Sequence, residues 1–188
     1  MKWAYGILGL TFVGILIAIS FLLGSGELNS MEELKLISTA FEHEGVIPSK
    51  YTCDGENISP DLSFGSIPTE AKSLVLLMDD PDVPTHLREG GVFDHWILFN
   101  IPADTSGLKE GETAGTAGRN SAGSDIYVGP CPPPQFQPAE HRYIFQLYAL
   151  NTELDLNEGA SKDAVKVAMK GHILGKGELL GRYSRKSN

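Results

Sequence analysis

Cysteine and positive charge are both scarce in this chain of 188 residues. Its two cysteines, Cys53 and Cys131, are too few for the disulfide framework of a small secreted domain and wrongly spaced for a zinc ribbon. They either form one bridge or remain free thiols. With 15 Lys and Arg against 24 Asp and Glu, the net charge is −9, so the surface repels phosphate polymers. We therefore do not expect nucleic-acid binding.

The signatures of the common enzyme classes are also missing. The sequence has no G-x-S-x-G nucleophile elbow, no H-E-x-x-H metal helix, no G-x-x-x-x-G-K-[ST] phosphate loop and no G-x-G-x-x-G turn. Ligand types that suit a metal occur at Asp80, Asp82, His95 and His141, but their spacing is not diagnostic of a metal site. We expect neither a metal nor a cofactor.

One long uncharged run, from Trp3 to Leu23, precedes everything else. As a helix rising about 1.5 Å per residue, it matches the roughly 30 Å of a bilayer core, whereas the apolar core of a signal peptide has about 7 to 15 residues. This length favours an uncleaved transmembrane helix over a cleaved signal that releases a secreted domain. Lys2 before the run and Glu27 after it place the amino terminus in the cytoplasm and the folded domain outside the cell membrane.

We therefore divide the chain into two parts. Residues 1–30 are predicted to be a single-pass membrane anchor, or a signal segment, with a short linker. Residues 31–188 are predicted to be one extracytoplasmic domain, which keeps the net charge of −9 because the first part holds one charge of each sign.

Short apolar runs separated by glycine and proline predict a β-rich domain. One helix is expected at Ser161–Lys170, with Ser161 as its N-cap. The fold class that fits is a mostly antiparallel, two-sheet β-sandwich with one or two short helices. The predicted strands are Leu34–Ile37, Ser73–Met78, His95–Ile101, Arg142–Leu150 and Ile173–Tyr183. For the last of these, a second, frayed helix is the alternative.

Three stretches hold residues that can carry chemistry. The segment Asp79–Asp82 brings carboxylates to the carboxyl end of a buried strand, where their mutual repulsion needs compensation. His95 opens the next predicted strand. His141 and Tyr143 open a later one, where alternation places both on the same face. An imidazole and a phenol on one face can bind an anion or an ordered water.

Four separated motifs follow one another along the chain: Asp80-Pro81-Asp82 with Pro84, His95-Trp96, Gly129-Pro130 with Pro132-Pro133, and His141-Arg142-Tyr143. Together they resemble the phosphatidylethanolamine-binding protein family. The segments Tyr51–Pro60 and Met169–Leu174 are similar to its bacterial and archaeal Raf-kinase-inhibitor-like branch. The resemblance covers the domain from about Leu34 to Arg185.

This resemblance implies a small pocket at one end of a two-sheet fold that accepts phosphate-like or other small anions. Histidines beside carboxylates are expected to be held protonated there, which offsets the acidity that an anionic guest meets. Carried over motif by motif, the pocket residues are Asp80, Asp82, His95, Gly129, Pro132, His141 and Tyr143.

The function expected from these observations is non-enzymatic binding of a small anion, such as a phosphate or a phospholipid head group, with a protein target modulated through it. Two alternatives stay open. The first is inhibition of a protease or kinase, of which an extracellular protease suits a domain outside the cell. The second is a hydrolase that uses the Asp and His side chains.

Overall fold

The computed structural model describes Met1 and residues 31–185. The chain divides into two compact units, and the second, Met31–Asn188, contains all the elements below. The predicted membrane anchor falls on residues that are not described, so it stays a prediction. In the part of the chain that the structure describes, no helix has the length and apolar character needed to cross a bilayer.

Two β-sheets form the domain, as the sequence predicts. The described residues contain one helix, α1 (Lys162–Ala168), and two short 3-10 helices at Ser49–Tyr51 and Glu89–Gly91. The strands are β1 (Glu32–Glu33), β2 (Lys35–Ile37), β3 (Gly45–Val46), β4 (Leu62–Gly65), β5 (Ser73–Asp80), β6 (Phe93–Pro102), β7 (Gly107–Leu108), β8 (Thr116–Ala117), β9 (Glu140–Leu150) and β10 (Ile173–Ser184).

The larger sheet has the order β1-β10-β9-β5-β6-β8, and the smaller one has the order β2-β4-β7. Neighbouring strands run antiparallel, except that β1 and β3 both pair with β10 in parallel. The five predicted strands all appear. The strands that prediction missed, β1, β3, β4, β7 and β8, have two to four residues, too few to show a period. The predicted helix is shorter than expected, with Ser161 as its N-cap.

The larger sheet is buried on both faces, which explains why β5 is apolar without alternation. Leu74, Leu76 and Met78 pack toward the smaller sheet. Val75 and Leu77 pack on the other side against Val165 and Met169 of the α1 region. The strand therefore separates two apolar layers, and any two successive residues on it face different layers.

A bulge in β6 decides where His95 points. Met78 of β5 lies opposite Trp96, but the next residue, Asp79, lies opposite Asp94, so His95 is the extra residue. The bulge sends Asp94 to the face covered by α1 and turns His95 to the other face, where it meets Tyr143. Without the bulge, strict alternation along β6 would place His95 on the face covered by α1 and Asp94 on the other face.

Helix α1 is held to the larger sheet by a buried cluster of charges. Lys162 Nζ donates to Asp79 Oδ1 at 2.9 Å and forms a close ion pair with Asp94. Lys162 and Asp79 are both buried. Burial raises the pKa of Asp79, and Lys162 opposes that shift only in part. The single ammonium therefore compensates two carboxylates that the strands bring together.

Replacing this cation should destabilise the domain. Lys162→Met fills a similar space but leaves Asp79 and Asp94 facing each other without a counter-charge, a loss expected to cost about 3 kcal/mol. Urea unfolding monitored by circular dichroism measures the difference. Lys170→Met, at an exposed position beyond the helix, is the matched control and should change the free energy of unfolding by no more than about 0.5 kcal/mol. Equal stability of the two variants would contradict the role given to Lys162.

Candidate ligand-binding site

A cavity of about 210 Å³ opens where β5 ends and β6 and β9 begin. Three ionisable side chains border it: Asp80 from β5, His95 from β6 and His141 from β9. Apart from these three, the wall consists of Val83, Pro84, Leu87, Phe93, Val128, Gly129, Cys131, Pro132 and Pro133. The cavity wall is thus mostly apolar, with its polar groups at one end.

Asp80 and His141 form the polar end as a bonded pair. His141 Nδ1 lies 2.7 Å from Asp80 Oδ2, and both side chains are buried. The second carboxylate oxygen of Asp80 accepts from the backbone N–H of Asp82 at 2.9 Å. Because Asp80 engages Nδ1, a protonated His141 ring has only Nε2–H left to donate. That Nε2 atom is buried and has no hydrogen-bond partner among the described residues.

His95 takes part differently from the prediction. Its Nδ1 donates to the carbonyl oxygen of Val128 at 2.6 Å, and its ring packs 4.7 Å from that of Phe93. Burial lowers the pKa of His95, and this outweighs the Val128 carbonyl and the nearby charges of Asp80 and Asp94. The expectation that His95 is held protonated is therefore wrong, because burying the charged ring costs more free energy than its attraction to the nearby carboxylates recovers. A neutral His95 presents the lone pair of Nε2.

Tyr143 supports the site from behind. It is fully buried, is not part of the cavity wall, and packs edge-on against His95 with ring centroids 5.2 Å apart. Burial first, and then the charge of Asp80, raises the pKa of Tyr143, so its hydroxyl stays protonated. Alternation correctly placed Tyr143 on the same face as His141, but the residue positions His95 rather than facing the cavity.

Asp82 also lies outside the cavity wall. Its two oxygens accept from the Arg142 guanidinium, at 2.9 Å from Nε and 2.7 Å from Nη2, and Oδ2 accepts from the Arg142 backbone N–H at 2.8 Å. This hydrogen bonding lowers the pKa of Asp82. Asp82 therefore fixes the corner after β5 to the start of β9, and so keeps Asp80 beside His141.

Another part of the wall is a loop that contains Gly129 and Pro132. Gly129 N–H donates to Asn57 Oδ1 at 2.8 Å, and a Cβ on Gly129 would collide with the Tyr51 carbonyl oxygen. In the structure Cys53 and Cys131 are joined by a disulfide, the first of the two possibilities that the sequence left open. The bridge links this wall to the segment that holds Asn57.

Sequence reasoning missed several apolar residues of the wall and its outer support. Val83, Leu87 and Phe93 belong to no motif that signals a ligand. Val128 contributes through its backbone carbonyl, which any residue type supplies. Only Asn57 carries a detectable signal, because it lies inside the Tyr51–Pro60 segment that marks the family branch.

Comparison with known proteins agrees with this fold. The family model described as phosphatidylethanolamine-binding protein matches residues 37–184. The chain belongs to the phosphatidylethanolamine-binding protein family. The resemblance inferred from the four motifs is thereby confirmed.

Relatives in archaea and bacteria share most of the chain. A UPF0098 protein of Methanothermobacter thermautotrophicus is 49% identical, over 81% of this chain and 99% of the relative. A crystal structure of a phosphatidylethanolamine-binding protein homologue from Chlamydia trachomatis is 45% identical, covers 82% of this chain and 99% of its own, and has a TM-score of 0.78. A UPF0098 protein of Pyrococcus horikoshii is 41% identical over 94% of this chain and 90% of the relative. That last alignment is too long to fit within residues 31–188 and so extends into residues 1–30.

The low pKa of His95 predicts an acid-sensitive fold. Below about pH 6.5 the unfolded chain binds a proton at this position that the folded state excludes, so the free energy of unfolding should fall as the pH is lowered. His95→Gln should make that fall shallower. Chemical unfolding at several pH values between about 5 and 7.5 measures the slope.

His172, which is exposed, provides the control for this titration. His172→Gln should keep the wild-type slope. A slope for His95→Gln identical to that of the wild type would show that His95 protonates equally well in the folded and unfolded states.

Proposed function

We propose that this protein is a non-enzymatic binding module whose cavity takes a small anion with a phosphate-like head group. The observation that supports this most strongly is the buried Nε2 of His141, which borders the cavity without a partner among the described residues. An unsatisfied buried polar group costs about 1–3 kcal/mol. A ligand oxygen that accepts from the protonated ring removes that cost and adds a charge-assisted hydrogen bond.

The charge arrangement supports an anionic ligand despite the acidic partner nearby. Both oxygens of Asp80 are already engaged, one by His141 and the other by the Asp82 backbone. Anion binding at this place requires a protonated His141, whose charge offsets that of the Asp80 carboxylate. An anion at Nε2 therefore meets a donor first, with the carboxylate on the far side of the ring.

The size of the cavity and the chemistry of its wall further limit the range of ligands that fit. About 210 Å³ lies below the roughly 300–1,000 Å³ of typical drug-sized sites, so the cavity suits a head group rather than a complete lipid. Apolar side chains such as Leu87 and Phe93 suit the carbon part of a phosphate ester. The prolines of the wall limit the entropy lost when a ligand is enclosed. The name of the family adds a phospholipid head group as one source of such an ester.

Binding without turnover is favoured by the chemistry of the wall. The described lining residues include no serine, threonine or lysine, and the sulfur of Cys131 is part of the disulfide. Asp80 is oriented by two hydrogen bonds toward protein donors. Nothing in this set resembles a nucleophile paired with a base.

We also propose that the domain is tethered to the outer face of the cell membrane by residues 1–30. The uncharged run Trp3–Leu23 supports this, as does the Pyrococcus horikoshii relative whose alignment extends into the same region. A tethered module meets lipid head groups and membrane proteins at high local concentration.

Nuclear magnetic resonance titration tests the ligand. O-phosphorylethanolamine and inorganic phosphate, added separately to the purified protein, should shift the ring signals of His141 and His95. His141→Gln removes the cationic donor and should weaken binding at least about 10-fold. A phosphate ester that binds more tightly than free phosphate would indicate that the apolar wall contributes.

His172→Gln is again the matched control, because His172 is exposed and far along the chain from the cavity residues. It should bind both compounds as the wild type does. Unchanged ring signals in the wild type would contradict the proposed function. Release of phosphate from O-phosphorylethanolamine, abolished by His141→Gln, would contradict the non-enzymatic assignment instead.

Fractionation tests the tether. The full chain expressed in a bacterial host should sediment with membranes, and external protease should reach its domain in spheroplasts. A variant that lacks residues 2–30 should be found in the soluble fraction. Recovery of the intact full chain from the soluble fraction would contradict the anchor.

A further inference from the structure

The disulfide is both part of the cavity wall and open to solvent. Cys131 borders the cavity next to Pro132, and both Cys131 and Cys53 are exposed. A bridge that only reinforced the core would lie among the buried residues. This one joins two surface loops, outside every strand of the domain.

The loop on the amino-terminal side of Cys131 has several attachments besides the bridge. Tyr127 hydroxyl donates to the Tyr51 carbonyl at 2.8 Å, Gly129 N–H donates to Asn57, and Cys53 N–H donates to the Pro130 carbonyl at 3.1 Å. These bonds hold the chain up to Pro130 independently of the sulfur atoms.

The Cys53 side is also fixed without the bridge. Asp54, the next residue, accepts from the Tyr183 hydroxyl at 2.7 Å and from the Arg185 guanidinium, also at 2.7 Å. Tyr183 belongs to β10, in the larger sheet. Cys53 is therefore anchored to the sheet whether or not it is bonded to Cys131.

The chain after Cys131 is held much less firmly. Among the described residues, 131–139 forms no hydrogen bond to another part of the molecule; its one backbone bond, Phe136 N–H to the Pro133 carbonyl, is internal. Apart from packing, its attachments are the disulfide and the edge-on contact of Phe136 with His86, 5.5 Å between ring centroids. This segment contains Pro132 and Pro133, which form part of the cavity wall.

We propose that Cys53–Cys131 is a reducible site that controls the cavity: its cleavage releases the wall 131–139 and weakens ligand binding while the sheets stay folded. This inference rests on the proposed function, because it concerns the same cavity. Ligand binding then depends on the oxidation state of the bridge, and the chemical partner is a dithiol reductant.

The chemistry balances with a dithiol such as dithiothreitol or a dithiol protein. One thiolate of the reductant attacks a sulfur of the bridge, which breaks the S–S bond and forms a mixed disulfide. The second thiolate then displaces the protein sulfur. The chain gains two electrons and two protons as two thiols, and the reductant becomes a disulfide. Exposure of both cysteines gives the attacking thiolate access.

The experiment compares the oxidised and the fully reduced full-length protein, with reduction verified by alkylation and mass. Hydrogen exchange should become at least about 10-fold faster at the amide of Phe136, which donates the one backbone hydrogen bond of this segment, with β5 and β9 still protected. The affinity for O-phosphorylethanolamine should fall at least about fivefold and recover on reoxidation. The double variant Cys53→Ser/Cys131→Ser should have the exchange rates and affinity of the reduced protein, and the reductant should not change them.

Every other result contradicts either this inference or the proposed function. Unchanged exchange in 131–139, or unchanged affinity after complete reduction, overturns the inference. Loss of protection in β5 and β9 also overturns it, because the bridge would then support the whole fold. If the oxidised protein does not bind the compound at all, the proposed function fails, and exchange alone then decides whether the bridge controls the wall.

Discussion

The structure depends on how two adjacent carboxylates at the end of β5 are compensated. Asp79 and Asp80 follow a fully buried apolar run, and the strand period sends them to opposite faces of the larger sheet. Each therefore needs its own partner. Lys162 meets Asp79 under the helix, and His141 meets Asp80 at the cavity. One dipeptide thus connects the packing of α1 to the geometry of the candidate site.

The bulge in β6 makes this division possible. It places Asp94 beside Lys162 and leaves His95 free to face the cavity, so the two faces acquire different chemistry within a few residues. The face under α1 holds an ion cluster that is satisfied internally. The other face holds His141, whose buried Nε2 has no partner among the described residues and is the observation on which the proposed function rests.

Much of the fold could be predicted from the sequence because its main strands are long enough to show a pattern. Alternation in β9 placed His141 and Tyr143 on one face correctly, and the apolar run of β5 indicated a buried strand. The bulge at His95 could not be predicted, since it exists only in relation to the partner strand. The burial that lowers the pKa of His95 arises only when the strands pack together. The ion pair of Asp82 with Arg142 likewise joins two residues that are distant in the sequence. The residue types of the site were therefore visible, but their division into lining and supporting roles was not.

The outer edge of β10 is shared by β1 and β3, which pair with different parts of it, and β8 covers part of β6 on the far side of the same sheet. Part of the hydrogen-bonding capacity at both edges of this sheet is therefore already used within the molecule. Exposed strand edges are templates on which separate molecules join into aggregates. Where β1, β3 and β8 form the border of the sheet, each offers only two residues of backbone, which is a short template for a strand of another molecule.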